Sequence, residues 1–323
     1  MLRLFDDAHY EVLRLWRGAF MVAALFAIPG ILLLGFRGLN LSIEFTGGTF
    51  LQVRALDESI DTGALRDALN AGGVSGAEIQ TFGSGGDEFA IRARVEASDD
   101  VSGASVQETV AAVDAALAAA FGSDGYEIRY TDAVSPKVGS ELSNAALKAL
   151  VAAFGAIFIF IWFRYEWRFG LAAVLATIHD VISTAAFISY LNVEISLIIV
   201  AALLLIIGYS LNDTIVTFDR VRENLRKFKR ANLLEILNRS INETLPRTVL
   251  TSGTTLGATV ALAVLGGDVI RPFALVVTWG IITGTFSSIY IASPLLLYIE
   301  GRWPGEDARG AKTLITKTAP ATL

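Results

Sequence analysis

Cysteine is absent from all 323 residues. That excludes disulfides, thiolate metal sites and cysteine nucleophiles. Histidine is limited to His9 and His179, and one histidine inside an apolar run is weak evidence for a ligand or proton shuttle. Charge is scarce as well: Asp, Glu, Lys and Arg make up 18% of the chain, against about 25% in an ordinary soluble domain. The balance is acidic, with 26 Lys+Arg against 32 Asp+Glu and a net charge of −6, so there is no basic surplus for general nucleic-acid binding. Hydrophobic residues fill 53% and the mean hydropathy is +0.55. This composition excludes a disordered chain and argues against a wholly soluble enzyme.

The apolar residues gather into runs near the about 20 residues that a helix needs to cross a bilayer core. They predict an α-helical membrane protein with six transmembrane helices, at 18–36, 145–163, 169–191, 195–218, 248–266 and 272–299. The first run is longer than a signal-peptide core of about 7–15 residues, so it reads as a retained anchor. Arg3, Arg14 and Arg17 precede it, and Arg164 and Arg168 follow the second run. A basic segment from Arg220 to Arg239 follows the fourth, whereas Asn192–Glu194 carries no positive charge. By the positive-inside rule both termini, 1–17 and 301–323, face the cytoplasm and residues 37–144 are exported. Within 219–245, Leu233, Leu234, Leu237, Ile241 and Leu245 recur at helical spacing. This predicts an amphipathic helix on the inner membrane surface, and Pro246 suits the start of the fifth span.

The exported segment reads as strand 50–54, helix 62–70, strands 77–82 and 88–95 across the turn Gly83-Ser84-Gly85-Gly86, helix 106–121 and strand 126–130. That order, β-α-β-β-α-β, is the ferredoxin-like α+β pattern. It names no function, and the segment contains no histidine, which favours binding or mechanical work over chemistry.

The informative residues are charged ones inside the spans, each costing roughly 2.5–3.5 kcal/mol to insert at a helix centre. Asp213 shares a helical face with Tyr209, Ser210, Thr217 and Arg220. In the fifth span Arg247 is followed on its own face by Thr251, Thr254, Thr255 and Thr259. Two such stripes, one acidic and one cationic, would face each other across a hydrated seam. The third span adds His179 and Asp180, followed by Ser183 and Thr184. One reading makes Asp213 an ion-binding acid whose affinity Arg247 controls. A structural ion pair between spans four and five, or an Arg247 that reaches the membrane boundary, suits the same residues. Residues 305–313 resemble a phosphate-binding loop but place Ala311 where the motif requires lysine, so an ion gradient is the expected energy source.

Several stretches carry a resemblance. Residues 40–49, Asn-Leu-Ser-Ile-Glu-Phe-Thr-Gly-Gly-Thr, are similar to the Asp-Phe-Thr-Gly-Gly-Thr signature after the first span of SecD/SecF proteins, with Glu44 in place of the usual Asp. Residues 164–181 resemble the second-to-third-span region of the SecF branch. Residues 207–224, centred on Leu-Asn-Asp-Thr-Ile-Val-Thr-Phe-Asp-Arg, and 245–252, Leu-Pro-Arg-Thr-Val-Leu-Thr-Ser, resemble its fourth- and fifth-span motifs. The chain is thereby identified as a member of the SecD/SecF family, within the resistance-nodulation-division superfamily.

The resemblance implies a prokaryotic inner-membrane subunit, not an enzyme, that uses the proton-motive force to promote late stages of protein export. It implies SecD, the SecYEG channel, YajC, membrane lipids and an unfolded translocating chain as partners, with no nucleic acid. Asp213 and Arg247 match the family's proton-path residues. Asp180, Asn212, Tyr209, Thr217 and Thr251 are expected to support them, and Phe45, Thr46, Gly47, Gly48 and Thr49 form the family turn. No metal or cofactor is expected beyond the gradient itself, and sodium suits the same hydroxyl and carboxylate donors as the proton.

Overall fold

The computed structural model describes residues 10–57, 60–74, 76–82, 86–93, 103–134, 136–164 and 166–303. Residues 83–85 of the expected hairpin turn and the loop-like stretch 305–313 lie outside the described residues. The chain divides into two units. A helical unit takes the described residues up to Leu39, Ala149–Val193 and those from Ile198 onward, and a sheet unit takes Asn40–Lys148 and Glu194–Leu197.

The sheet unit begins with a single helical turn, α2 (Ile43–Thr46), and continues through β1 (Gly48–Ala55), α3 (Thr62–Ala71), β2 (Glu78–Phe82), β3 (Glu88–Ala93), α4 (Gly103–Phe121) and β4 (Tyr126–Val134). The strands lie in the order β2-β3-β1-β4, and each neighbouring pair is antiparallel. This is the ferredoxin-like arrangement that the element order predicts. Burial alternates along β1, with Thr49, Leu51, Val53 and Ala55 inward, as the two-residue period of a strand requires. Leu51, Val53 and Ile91 pack with Leu65 of α3 and with Val113 and Leu117 of α4 to form the core. Asp61 starts α3 by accepting a hydrogen bond from the Ala64 amide at 2.7 Å, an ordinary N-cap.

Among the described residues, six helices are long and apolar enough to cross a membrane. They are built on α1 (Trp16–Arg37), α5 (Pro136–Arg164), α6 (Trp167–Leu191), α7 (Leu197–Lys227), α8 (Leu233–Leu265) and a last span made of α9 (Gly267–Ser287), a π turn (Ser288–Ala292) and α10 (Ser293–Arg302). In lipid, helices associate through close packing, and small residues permit it. Gly30 of α1 lies so near α6 that a Cβ there would stand 2.4 Å from the Ala186 Cβ and 2.8 Å from its Cα. On Gly280 of α9 a Cβ would likewise stand 2.3 Å from Ile206 side-chain atoms of α7.

The expected surface helix within 219–245 is not a separate element. Helix α7 continues to Lys227, and after a short turn α8 starts at Leu233 with Asn232 as its cap, accepting from the Glu235 amide at 2.9 Å. Leu233, Ile236, Leu237 and Ile241 are buried against Phe218, Val221 and Leu225, so protein rather than a membrane surface covers this apolar face. Glu243 clasps the hairpin by accepting from Arg220 Nε at 2.6 Å, Asn224 Nδ2 at 2.7 Å and Arg239 Nε at 3.0 Å. Pro246 therefore lies inside α8 and not at its start. The packed hairpin before it outweighs the about 3 kcal/mol that an interior proline costs.

The glycine contacts predict a position-specific effect. Gly30→Leu should destabilise the helical unit by about 1–3 kcal/mol through overpacking. Gly18→Leu, at a site where a Cβ would have no neighbour within 4 Å, should leave the melting midpoint in detergent unchanged.

Candidate functional site

The helical unit encloses two acids. Asp180 of α6 is 0% exposed. Its Oδ2 accepts hydrogen bonds from Ser210 Oγ of α7 and from Ser287 Oγ of α9, the latter at 2.7 Å, and its Oδ1 lies 3.0 Å from His179 Nδ1. The carboxyl is thus shared by three helices. Ser287 stands immediately before the π turn, a helix irregularity common where geometry serves function. The ring nitrogen His179 Nε2 is buried without a hydrogen-bond partner among the described residues.

Asp213, one turn along α7 from Ser210, is 3% exposed. Ser252 Oγ of α8 donates to its Oδ2 at 3.3 Å, and Ser252 is in turn 2.8 Å from Thr285 Oγ1 of α9. Arg247 of α8 is exposed. Among the described residues it forms no ion pair with that acid.

The expected stripes are thus only partly assembled. Tyr209 is half-buried, with its hydroxyl 3.4 Å from Thr255 Oγ1, and buried Thr217 lies 3.5 Å from Thr244 Oγ1. Asn212 is exposed. Thr251 and Thr254 donate to carbonyls of their own helix, those of Arg247 and Leu250, each at 2.9 Å, so the threonine stripe does not turn its hydroxyls to Asp213. Ser252, one position off the stripe, makes the contact. Thr285 and Ser287 also stand outside the residues that the sequence singles out. Their signal is four hydroxyl residues, Thr283, Thr285, Ser287 and Ser288, crowded into six positions of an otherwise apolar span.

The family turn lies in the sheet unit. Phe45 and Thr49 are buried. Thr46 Oγ1 donates to the Ser42 carbonyl at 3.2 Å, and the Gly47 amide donates to the Ile43 carbonyl at 2.8 Å. Gly47 and Gly48 have φ of 71° and 127°, a region that side chains disfavour. Gly139 of α5 presses on the turn, where a Cβ would meet the Phe45 carbonyl oxygen at 2.9 Å. Glu44 Oε2 accepts from the backbone amide of Leu197 at 2.5 Å. Beside it Arg92 of β3 pairs with Glu194. Burial pushes the Glu194 carboxyl above its ordinary range, and the Arg92 guanidinium pulls it back.

The family described as "Protein export membrane protein SecD/SecF, C-terminal" matches residues 112–302, and the "SecD/SecF GG Motif" matches 32–55. The protein translocase subunit SecF of Gemmatimonas aurantiaca is 48% identical over 325 residues, covering 100% of this chain and 97% of that protein. The subunit of the same name from Desulfurispirillum indicum is 41% identical over 294 residues, covering 90% and 92%. Among solved structures, the translocon-associated membrane protein SecDF of Thermus thermophilus superposes with a TM-score of 0.80 at 35% identity. That match covers 94% of this chain but 40% of the SecDF chain. A SecDF structure in a super-membrane-facing form gives a TM-score of 0.64 at 34% identity, covering 97% and 40%.

The two acids should respond differently to truncation of their surroundings. Asp180→Ala removes the acceptor of buried Ser210 Oγ, whereas Ser287 Oγ keeps the Gly284 carbonyl at 3.2 Å. The substitution should lower stability by about 1–3 kcal/mol for the one donor left unsatisfied. Arg247→Ala, at an exposed site, should stay within about 0.5 kcal/mol of the parent. Thermal unfolding in detergent measures both.

Proposed function

The chain belongs to the SecD/SecF family of protein-export membrane proteins, and we propose that it couples the proton-motive force to late stages of protein export. In this reading Asp213 takes up and releases the proton, and Arg247 governs the exchange. The observation that carries it is the environment of Asp213: an acid buried within a membrane-length helix and held by Ser252, with no ion pair to fix its charge among the described residues. A carboxyl so placed is neutralised by a proton more readily than one locked to a cation. Arg247 is exposed on the neighbouring helix, and in this reading it approaches and withdraws. One elementary charge crossing the membrane supplies about 2.3 kcal/mol per 100 mV, enough to bias a conformational equilibrium. Sodium, which the Ser252 and Thr285 hydroxyls would also suit, is the alternative coupling ion.

The remaining assignments follow from the same reading. The SecDF chain extends well beyond the part matched here, and we assign that remainder's role to a separate SecD partner. The pair would work beside the SecYEG channel with YajC, in the cytoplasmic membrane of a prokaryote. Both termini would be cytoplasmic, and the sheet unit exported, where it would hold the emerging unfolded chain. No covalent catalysis and no cofactor enter this cycle.

Asp213→Asn should insert and melt like the parent yet lose the gradient-dependent part of export stimulation in inverted membrane vesicles containing SecD. Ser252→Ala should retain an intermediate response. Full gradient-dependent export by Asp213→Asn would overturn the proton role.

A further inference from the structure

The loop between α6 and α7 is held by the segment that precedes the Gly-Gly turn. The Ile195 amide donates to the Asn40 carbonyl at 2.7 Å, and the Ser42 amide donates to the Ile195 carbonyl at 2.9 Å, making a parallel bridge between Leu41 and Ile195. One residue before that bridge, Glu194 pairs with Arg92, whose side chain is 10% exposed. Two residues after it, Leu197 opens α7 and its amide donates to Glu44 Oε2 at 2.5 Å. Ser42 Oγ holds the same oxygen at 3.3 Å.

The first amides of a helix have no partner within it, and a carboxylate placed there also meets the positive end of the helix dipole. Glu44 meets this need from 153 residues away in sequence. It lies on a turn that leads through Gly47 and Gly48 into β1, which pairs with both β3 and β4. Helix α7 starts in the sheet unit and continues into the helical unit, carrying Asp213 on the way.

We propose that Glu44 is a positioning residue: with the Asn40–Ser42 bridge it latches the start of α7 to the central strand of the sheet unit, so that displacement of the Asp213-bearing helix is passed to that sheet. The latch itself is independent of the export reading, and its transmission of force rests on that reading.

Hydrogen exchange on the full chain in lipid nanodiscs tests the latch, and export in SecD-containing vesicles tests the transmission. In Glu44→Ala, exchange at the Leu197 amide should rise about tenfold or more, the factor expected for losing one charge-assisted hydrogen bond. Glu44→Gln keeps an acceptor oxygen at the same reach and should hold most of the protection, whereas Glu44→Asp, one methylene shorter, should behave like Glu44→Ala. Parent-like exchange at Leu197 in Glu44→Ala overturns the latch. Glu44→Ala should also lose most of its gradient-dependent export, with rescue by Glu44→Gln. Faster exchange with undiminished gradient-dependent export overturns the transmission and leaves the latch standing. If the parent itself shows no gradient response, the export reading fails, and the exchange data still decide the latch.

Discussion

A carboxyl placed among apolar helices must draw its hydrogen bonds from whatever helices surround it, and that requirement organises the helical unit. A polar group moved out of water without such bonds costs several kcal/mol. Asp180 meets the demand with one serine from α7, one from α9 and the adjacent histidine of its own helix. Serine serves because it is short: the helices must come close for the bond to form, and the contact of Gly284 with Ser210, where a Cβ would lie at 3.1 Å, keeps α9 near α7 at that level. Asp213, three positions along α7, repeats the device with a single serine from α8.

The two acids therefore differ in kind although they belong to one hydroxyl-rich layer. Asp180 is surrounded by donors from three elements, which makes it a fixed junction of α6, α7 and α9. Among the described residues Asp213 has a single hydroxyl contact, at 3.3 Å. A group with few and long contacts has room to change partners, and this contrast in bonding separates the two acids more clearly than residue type does.

Much of the architecture was legible in the sequence because it rests on composition and period. Six apolar runs, the strand and helix order of the sheet unit and the isolated acids all follow from local patterns. Contacts made by residues distant in sequence were not legible. Pro246 reads locally as a helix start, yet the Glu243 clasp and the buried Leu233–Ile241 face carry α8 through it. The same leucines read as a membrane-facing stripe because periodicity identifies an apolar face without saying what covers it. Arg247 and its threonines align on one side of α8, but threonine in a helix often bonds back to its own carbonyls, and here it does. Ser252, Thr285 and Ser287 are ordinary in sequence and become significant only through the acids they reach. Glu44 reads as a departure from the family turn, and its partner is a backbone amide that no side-chain pattern reveals.

Helix α7 is 31 residues long, about 46 Å at 1.5 Å per residue, against a hydrocarbon core of about 30 Å. Its first amide is capped by Glu44, and its far turns are embedded in the hairpin formed with α8. A rod restrained at both ends cannot absorb a change at its middle by fraying. A change of charge near its centre therefore falls on the side chains packed around its middle turns, not on loose ends.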